Sequence, residues 1–238
     1  MAEYLFHYTT LDTALDHILK NGTLRLSPFA ILNDPKEVDE WISYVASTHQ
    51  HAIVDRYSYK VLCFSQGGYS DLGFQNPLES GWAMGNMWAH YTTTKNINGC
   101  NEGGVCLIFD KAKLEACFQK QFDSYKTFHH AVVYNDDLIV HSDAQASNPD
   151  DSSVVEYLLF HKFCWWSNEK EYRWVVKGND NNIDNLFLEY GKSLTAIVVG
   201  KQVPCECRPS IYIHCCNGIK VYDFKSHNGM PYLSEHLV

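Results

Sequence analysis

The sequence predicts an α+β fold in a single domain, and three observations carry that expectation. Short runs of β-branched and aromatic residues alternate irregularly with stretches of helical apolar spacing, and no repeat is visible. Of the 238 residues, 45% are hydrophobic and 20% charged, which suits one core and is too apolar for a disordered chain. No domain linker interrupts the chain, so one domain over 1–238 is expected, with a polar Asp/Ser-rich loop or insert at about 135–153.

Each element has a local reason. Residues 3–9, EYLFHYT, read as a buried aromatic strand. Thr10 is placed to cap a helix over Leu11–Lys20, whose stripe is Leu11, Leu15, Ile18 and Leu19, and Asn21-Gly22 ends it. Thr23–Ser27 alternates Leu24 and Leu26 as a second strand, closed by Pro28. Asp34 and Pro35 open a helix expected to run to about Ser47. Lys60–Ser65 is a buried strand, and residues 66–81, with four Gly and one Pro, form a long surface loop. A helix over Trp82–Tyr91 sets Met84, Met87, Trp88 and Tyr91 near one face. Gly104–Asp110 is a central strand and Ala131–Tyr134 a weaker one. Val154–Cys164 is expected to be helical, and Glu171–Lys177, Leu194–Gly200 and Ile219–Phe224 to be strands.

Charge and cysteine usage bound the function. Lys plus Arg number 19 against 28 for Asp plus Glu, a formal charge of −9, which argues against sequence-blind coating of a nucleic acid duplex. A local basic groove is compatible with that average. The start, MAEYLFHYTT, has no basic segment followed by an apolar one, and no run approaches the roughly 20 apolar residues of a membrane span. A cytoplasmic protein with no membrane partner is expected. The nine cysteines are odd in number and read as free thiols. Cys205-Glu206-Cys207 and His214-Cys215-Cys216 do not have the spacing of zinc knuckles, so no metal is expected, and His129-His130 reads as surface.

Three constellations could carry chemistry. His7-Tyr8-Thr9 ends the first strand; His7 is either a satisfied core residue or a group facing a ligand. Glu169-Lys170-Glu171-Tyr172-Arg173, if extended, puts two carboxylates side by side, which suits a site that holds or deprotonates a hydroxyl. The bland alternative is a solvated strand end in which one Glu pairs with Arg173. Trp88 and Tyr91, three apart on a helix, are either core aromatics or a face for a flat ring.

Taken in order, these segments resemble a known family. The runs Leu5–Thr10, Asn21–Ser27 and Leu32-Asn33-Asp34-Pro35-Lys36-Glu37 are similar to the opening of domain-of-unknown-function family 2971. So are Cys63-Phe64-Ser65, Asn86–Tyr91, Val105–Asp110 and the closing Trp166, Glu169, Glu171, Tyr172 and Arg173. That family in turn resembles the ADP-ribosyltransferase superfamily, which implies a split mixed or antiparallel sheet with flanking helices and NAD as substrate. The resemblance implies that His7 holds a ribose hydroxyl and that the main chain of Tyr8 and Thr9 grips the nicotinamide amide. It implies that Tyr91, with Trp88 or Phe64 beside it, stacks on nicotinamide, and that Asn33 and Arg173 complete the NAD site. Glu171 would stabilise the oxocarbenium-like transition state, with Glu169 as the upstream acid of the pair. Tyr8 stands where the polymerases of that superfamily have a Gly, and an Asn/Gly-rich stretch at 96–104 lengthens one connection.

The function so implied is NAD-dependent ADP-ribosyl transfer, a glycosyltransferase chemistry, to a nucleic acid or protein acceptor, as a toxin or antiviral defence effector whose partner could be an antitoxin or inhibitor. NAD hydrolysis, or a non-catalytic binding module on the same fold, are the alternatives.

Overall fold

The computed structural model describes residues 3–34, 37, 41–45, 50–54, 56–67, 77–95, 101–136, 152–178 and 186–236. The first strands are β1 (Tyr4–Thr9), β2 (Thr23–Pro28), β3 (Trp41–Val45), β4 (Gln50–Val54), β5 (Tyr59–Gln66), β6 (Thr94–Lys95), β7 (Asn101–Glu102) and β8 (Val105–Asp110). Then come β9 (Lys126–Ala131), β10 (Val133–Tyr134), β11 (His161–Lys162), β12 (Glu171–Lys177), β13 (Leu186–Glu189), β14 (Leu194–Val199), β15 (Lys220–His227) and β16 (Met230–Glu235). The α-helices are α1 (Gly85–Tyr91), α2 (Lys111–Gln121), α3 (Ser152–Phe160) and α4 (Arg208–Tyr212). Mixed strand pairing with few helices makes the fold α+β. The chain falls into two compact units, each discontinuous in sequence.

The first unit comprises Met1–Leu24, Phe64–Gln121 and Leu188–Val238. Its strands run in the order β1, β8, β14, β15, β16, antiparallel except for β14 beside β15. Register and the period of two sort the side chains. Phe6, Tyr8, Cys106, Ile108, Ala196, Val198 and Tyr222 form one apolar cluster, joined by Trp82 and Met87. His7, opposite Leu107, therefore lies on the other face. The last residues of β5 pair with β1 only as Leu5↔Gln66 and Phe6↔Ser65, so that register ends just before His7.

At the start of this unit Thr10 caps as the sequence predicts: its hydroxyl accepts the Thr13 backbone N–H at 3.3 Å. Gly22, at φ 70°, closes the same helix, its N–H donating to the Ile18 carbonyl. Between them Thr13–Leu19 is wound as a π-helix rather than the α-helix its spacing suggests, and nothing local in the sequence explains the widening. The helix foreseen over 82–91 starts at Gly85, because Trp82 is buried and its carbonyl accepts the Trp88 indole N–H at 2.8 Å.

The second unit comprises Arg25–Cys63 and Phe122–Phe187. β9 and β12 pair antiparallel from Tyr172↔Ala131 to Lys177↔Lys126. The end of β2 pairs with the start of β5 as Ser27↔Val61 and Pro28↔Lys60. Phe29, Tyr59, Val61 and Val175 pack with Val155, Leu158, Leu159 and Phe160 of α3 into the unit's core.

Two elements differ from expectation here. Of the helix foreseen from Asp34 to about Ser47, Glu37 is helical, residues 35, 36, 38–40 and 46–47 lie outside the described residues, and Trp41–Val45 form β3 instead, a hairpin with β4 from Trp41↔Val54 to Val45↔Gln50. The run Trp-Ile-Ser-Tyr-Val has the β-branched and aromatic content of a strand, and that decides residues 41–45 against the helix. The helix foreseen over 154–164 stops at Phe160, because His161 and Lys162 pair in parallel with Val133 and Tyr134 and a 3₁₀ turn follows over Cys164–Glu169. Most of the polar stretch at 135–153, much of the 66–81 loop and residues 96–100 of the Asn/Gly-rich connection lie outside the described residues.

Candidate functional site

In the second unit, β12 presents Glu171, Arg173 and Val175 to one face by alternation, so two charged side chains share the face of the apolar core. Arg173 is fully buried. Its Nε donates to Glu171 Oε1 at 2.7 Å and its Nη2 to Oε2 at 3.0 Å, a bidentate pair. Nη1 donates to the Leu159 carbonyl at 2.6 Å, and the guanidinium lies over the Phe29 ring at 5.5 Å.

Lys162, carried inward by β11, completes the arrangement. Its Nζ lies 3.0 Å from Glu169 Oε2 and 2.9 Å from Glu171 Oε2, and 5.0 Å from the Trp166 ring centroid. Glu37 forms an ion pair with Arg173 through the same Nη2 that donates to Glu171. All five charged residues are at most 5% exposed. The Tyr134 hydroxyl accepts the Glu171 backbone N–H at 2.8 Å, which fixes the start of β12.

The two acids meet, but not as an extended strand would bring them together. Glu169 ends the 3₁₀ turn and Lys170 sits at φ 45°, so the backbone reverses between them. Their convergence comes from sharing the Lys162 ammonium. Nor is this a solvated strand end: Glu171 pairs with Arg173, and the pair is buried.

Electrostatics divides the carboxyls. Burial would raise Glu171, yet the Arg173 guanidinium and Lys162 ammonium outweigh it and hold the carboxyl at about 2, helped by hydrogen bonds from Arg173 and Cys63. Burial dominates at Glu37 and raises it despite Arg173 and Lys162, with the Glu171 charge adding to the rise. Burial, then the Glu171 charge, pushes the Cys63 thiol well up, so it is no ready nucleophile.

The remaining sequence candidates lie elsewhere. His7, half-buried in the first unit, meets Phe64 edge to face at 5.8 Å between ring centroids. Phe64 is itself buried and packs on Phe109. Tyr8 is buried, its hydroxyl donating to the Gly81 carbonyl at 2.5 Å and meeting the Met84 N–H at 3.4 Å, so its side chain holds the turn before α1. Thr9, buried, faces Val105 in the β1–β8 ladder. Trp88 and Tyr91 pack against the Phe6–Tyr8 face, the side of the sheet away from His7. Asn33 is exposed in the bend after Phe29–Ile31 of the second unit. The structure thus brings Glu169, Glu171 and Arg173 together, and His7 with Phe64, while Trp88 and Tyr91 join Tyr8.

Sequence reasoning missed Lys162 and Glu37 as members of the charged group. A lone Lys between Leu-Leu-Phe-His and Phe-Cys-Trp-Trp was a signal, since a lysine in so apolar a run needs a buried partner. Glu37 stands in the run Leu32–Glu37 that carries the resemblance, but nothing in that run marks it as a partner of Arg173. The eight described cysteines form no disulfide with one another, and no group of three or more His, Cys, Asp or Glu side chains that could hold a metal ion occurs among the described residues. No helix among them is long and apolar enough to cross a membrane. Comparison with protein-family models finds no match, and neither does comparison with curated proteins or with solved structures.

Proposed function

We propose that the chain is an NAD-dependent ADP-ribosyltransferase acting on a nucleic acid or protein acceptor, with Glu171 as its essential acid. The observation that carries this reading is a buried carboxylate kept ionised by Arg173 and Lys162 within an E-x-E-x-R run. Breaking the nicotinamide–ribose bond develops positive charge on the sugar, and a fixed, ionised carboxylate interacts more strongly with that state than with neutral ribose. In this reading Glu169 takes the acceptor's proton. Arg173 positions Glu171 through its paired hydrogen bonds.

A second reading has its own observation. Glu171 already receives two hydrogen bonds from Arg173 and the Lys162 ammonium, the saturation expected of a purely structural carboxylate. On that reading the protein is a binding module without turnover. NAD carrying label on the nicotinamide and, separately, on the adenosine, incubated with protein and cell lysate, distinguishes the cases. A transferase releases nicotinamide and labels a macromolecule, a hydrolase releases nicotinamide alone, and a module does neither. Nuclease or protease digestion of the labelled fraction then identifies the acceptor class.

A further inference from the structure

Among the described residues the buried group holds three carboxylates, Glu37, Glu169 and Glu171, against two cations, Lys162 and Arg173. With every member ionised, an unbalanced negative charge would lie where all five are at most 5% exposed, and an uncompensated buried charge is costly. The cheapest remedy is a bound proton.

The members differ in how well they could take it. Glu171 has both oxygens on Arg173 and a contact to Lys162, and Glu169 has Lys162. Glu37 meets Arg173 through one oxygen and feels Lys162 and Glu171 only through space, and its other oxygen has no hydrogen-bond partner among the described residues. We propose that Glu37 is the proton-carrying member of the cluster and a positioning residue for Glu171, acting through the guanidinium they share. The groups facing it are Arg173 and Glu171 from β12, Lys162 from β11 and, behind Glu171, Cys63 from β5 and Tyr134 from β10. The upward displacement of the Glu37 carboxyl by burial agrees in direction. Protonation there leaves Arg173 free to commit its charge to Glu171, and ionisation makes two carboxylates compete for one guanidinium. The inference concerns the cluster itself and holds whether or not NAD is the substrate.

Infrared difference spectroscopy on protein labelled at the glutamate side-chain carboxyls, which separates them from the buried Asp34, tests it. A protonated-carboxyl band should persist above the ordinary glutamate value of about 4.3. It should vanish in Glu37→Gln and titrate at lower pH in Glu171→Gln, where removing one carboxylate evens the count. Absence of the band in the wild type, or its survival in Glu37→Gln, overturns the proposal.

Urea unfolding gives a second readout. A folded-state value above the unfolded one contributes stability that is full below the unfolded value and lost as pH rises through the folded one. The unfolding constant of Glu37→Gln relative to wild type should therefore fall with rising pH across that window, by up to about tenfold per pH unit. A ratio that rises with pH would mean that ionised Glu37 supports the fold, the opposite of the proposal. If Glu37→Gln does not fold, the wild-type band and its shift in Glu171→Gln still decide.

Discussion

Glu171→Gln takes from Arg173 its bidentate carboxylate and from Lys162 one of its two, leaving Glu37 and Glu169 to balance the two cations. Breaking a buried ion pair from one side costs about 3–5 kcal/mol, so the variant should show a clearly lower urea midpoint with an unchanged slope. The wild-type carboxyl, held at about 2 in the folded state, contributes stability that is present above the ordinary glutamate range and lost as pH falls toward that value. Acid unfolding followed by circular dichroism should therefore be shallower for Glu171→Gln than for wild type. Glu171 and Arg173 were legible in the sequence because E-x-R on a strand places both on one face. Lys162 and Glu37 were not, because each reaches the group from a distant segment, and only tertiary pairing brings them there.

At the scale of the element, the junction of β1, its following helix and β8 is sterically closed. A Cβ at Gly104 would fall 2.0 Å from the Thr9 carbonyl oxygen and 2.8 Å from the Thr10 Cα, backbone atoms that cannot rotate away. Gly104→Ala should cost about 1–3 kcal/mol as overpacking, read as a lower melting temperature by calorimetry. Thr10→Ala, which removes the cap, should cost about 1 kcal/mol in the same measurement, and Thr10→Ser should restore most of it. Val105–Asp110 and Glu171–Lys177 were legible as strands from their β-branched and aromatic content, and both are buried on both faces along nearly their whole length. The helix α2 was not foreseen, although Leu114 and Phe118 are spaced for one buried face and the Asp110 carboxylate accepts the Lys113 N–H as a cap. β3 was misread because Asp34-Pro35 is a strong helix start and the competing strand content lies several residues further on.

At the scale of the whole molecule, the α+β class follows from the alternation of strand and helix patterns, whereas the division into two discontinuous units does not. It depends on which distant segments pair, and no linker composition marks it. The candidate residues are divided in the same way, His7, Phe64, Trp88 and Tyr91 in one unit and Asn33, Glu169, Glu171 and Arg173 in the other. The central claim is that the ionised Glu171 supports cleavage of the nicotinamide–ribose bond. The measurement that meets it most directly is nicotinamide release from labelled NAD in the presence of lysate, by wild type and by Glu171→Gln, with the folded fraction of each fixed by circular dichroism under the assay conditions. The account predicts release by wild type and a rate per folded Glu171→Gln molecule lower by about 10²–10³. No release by folded wild type, or equal release by the folded variant, would contradict it.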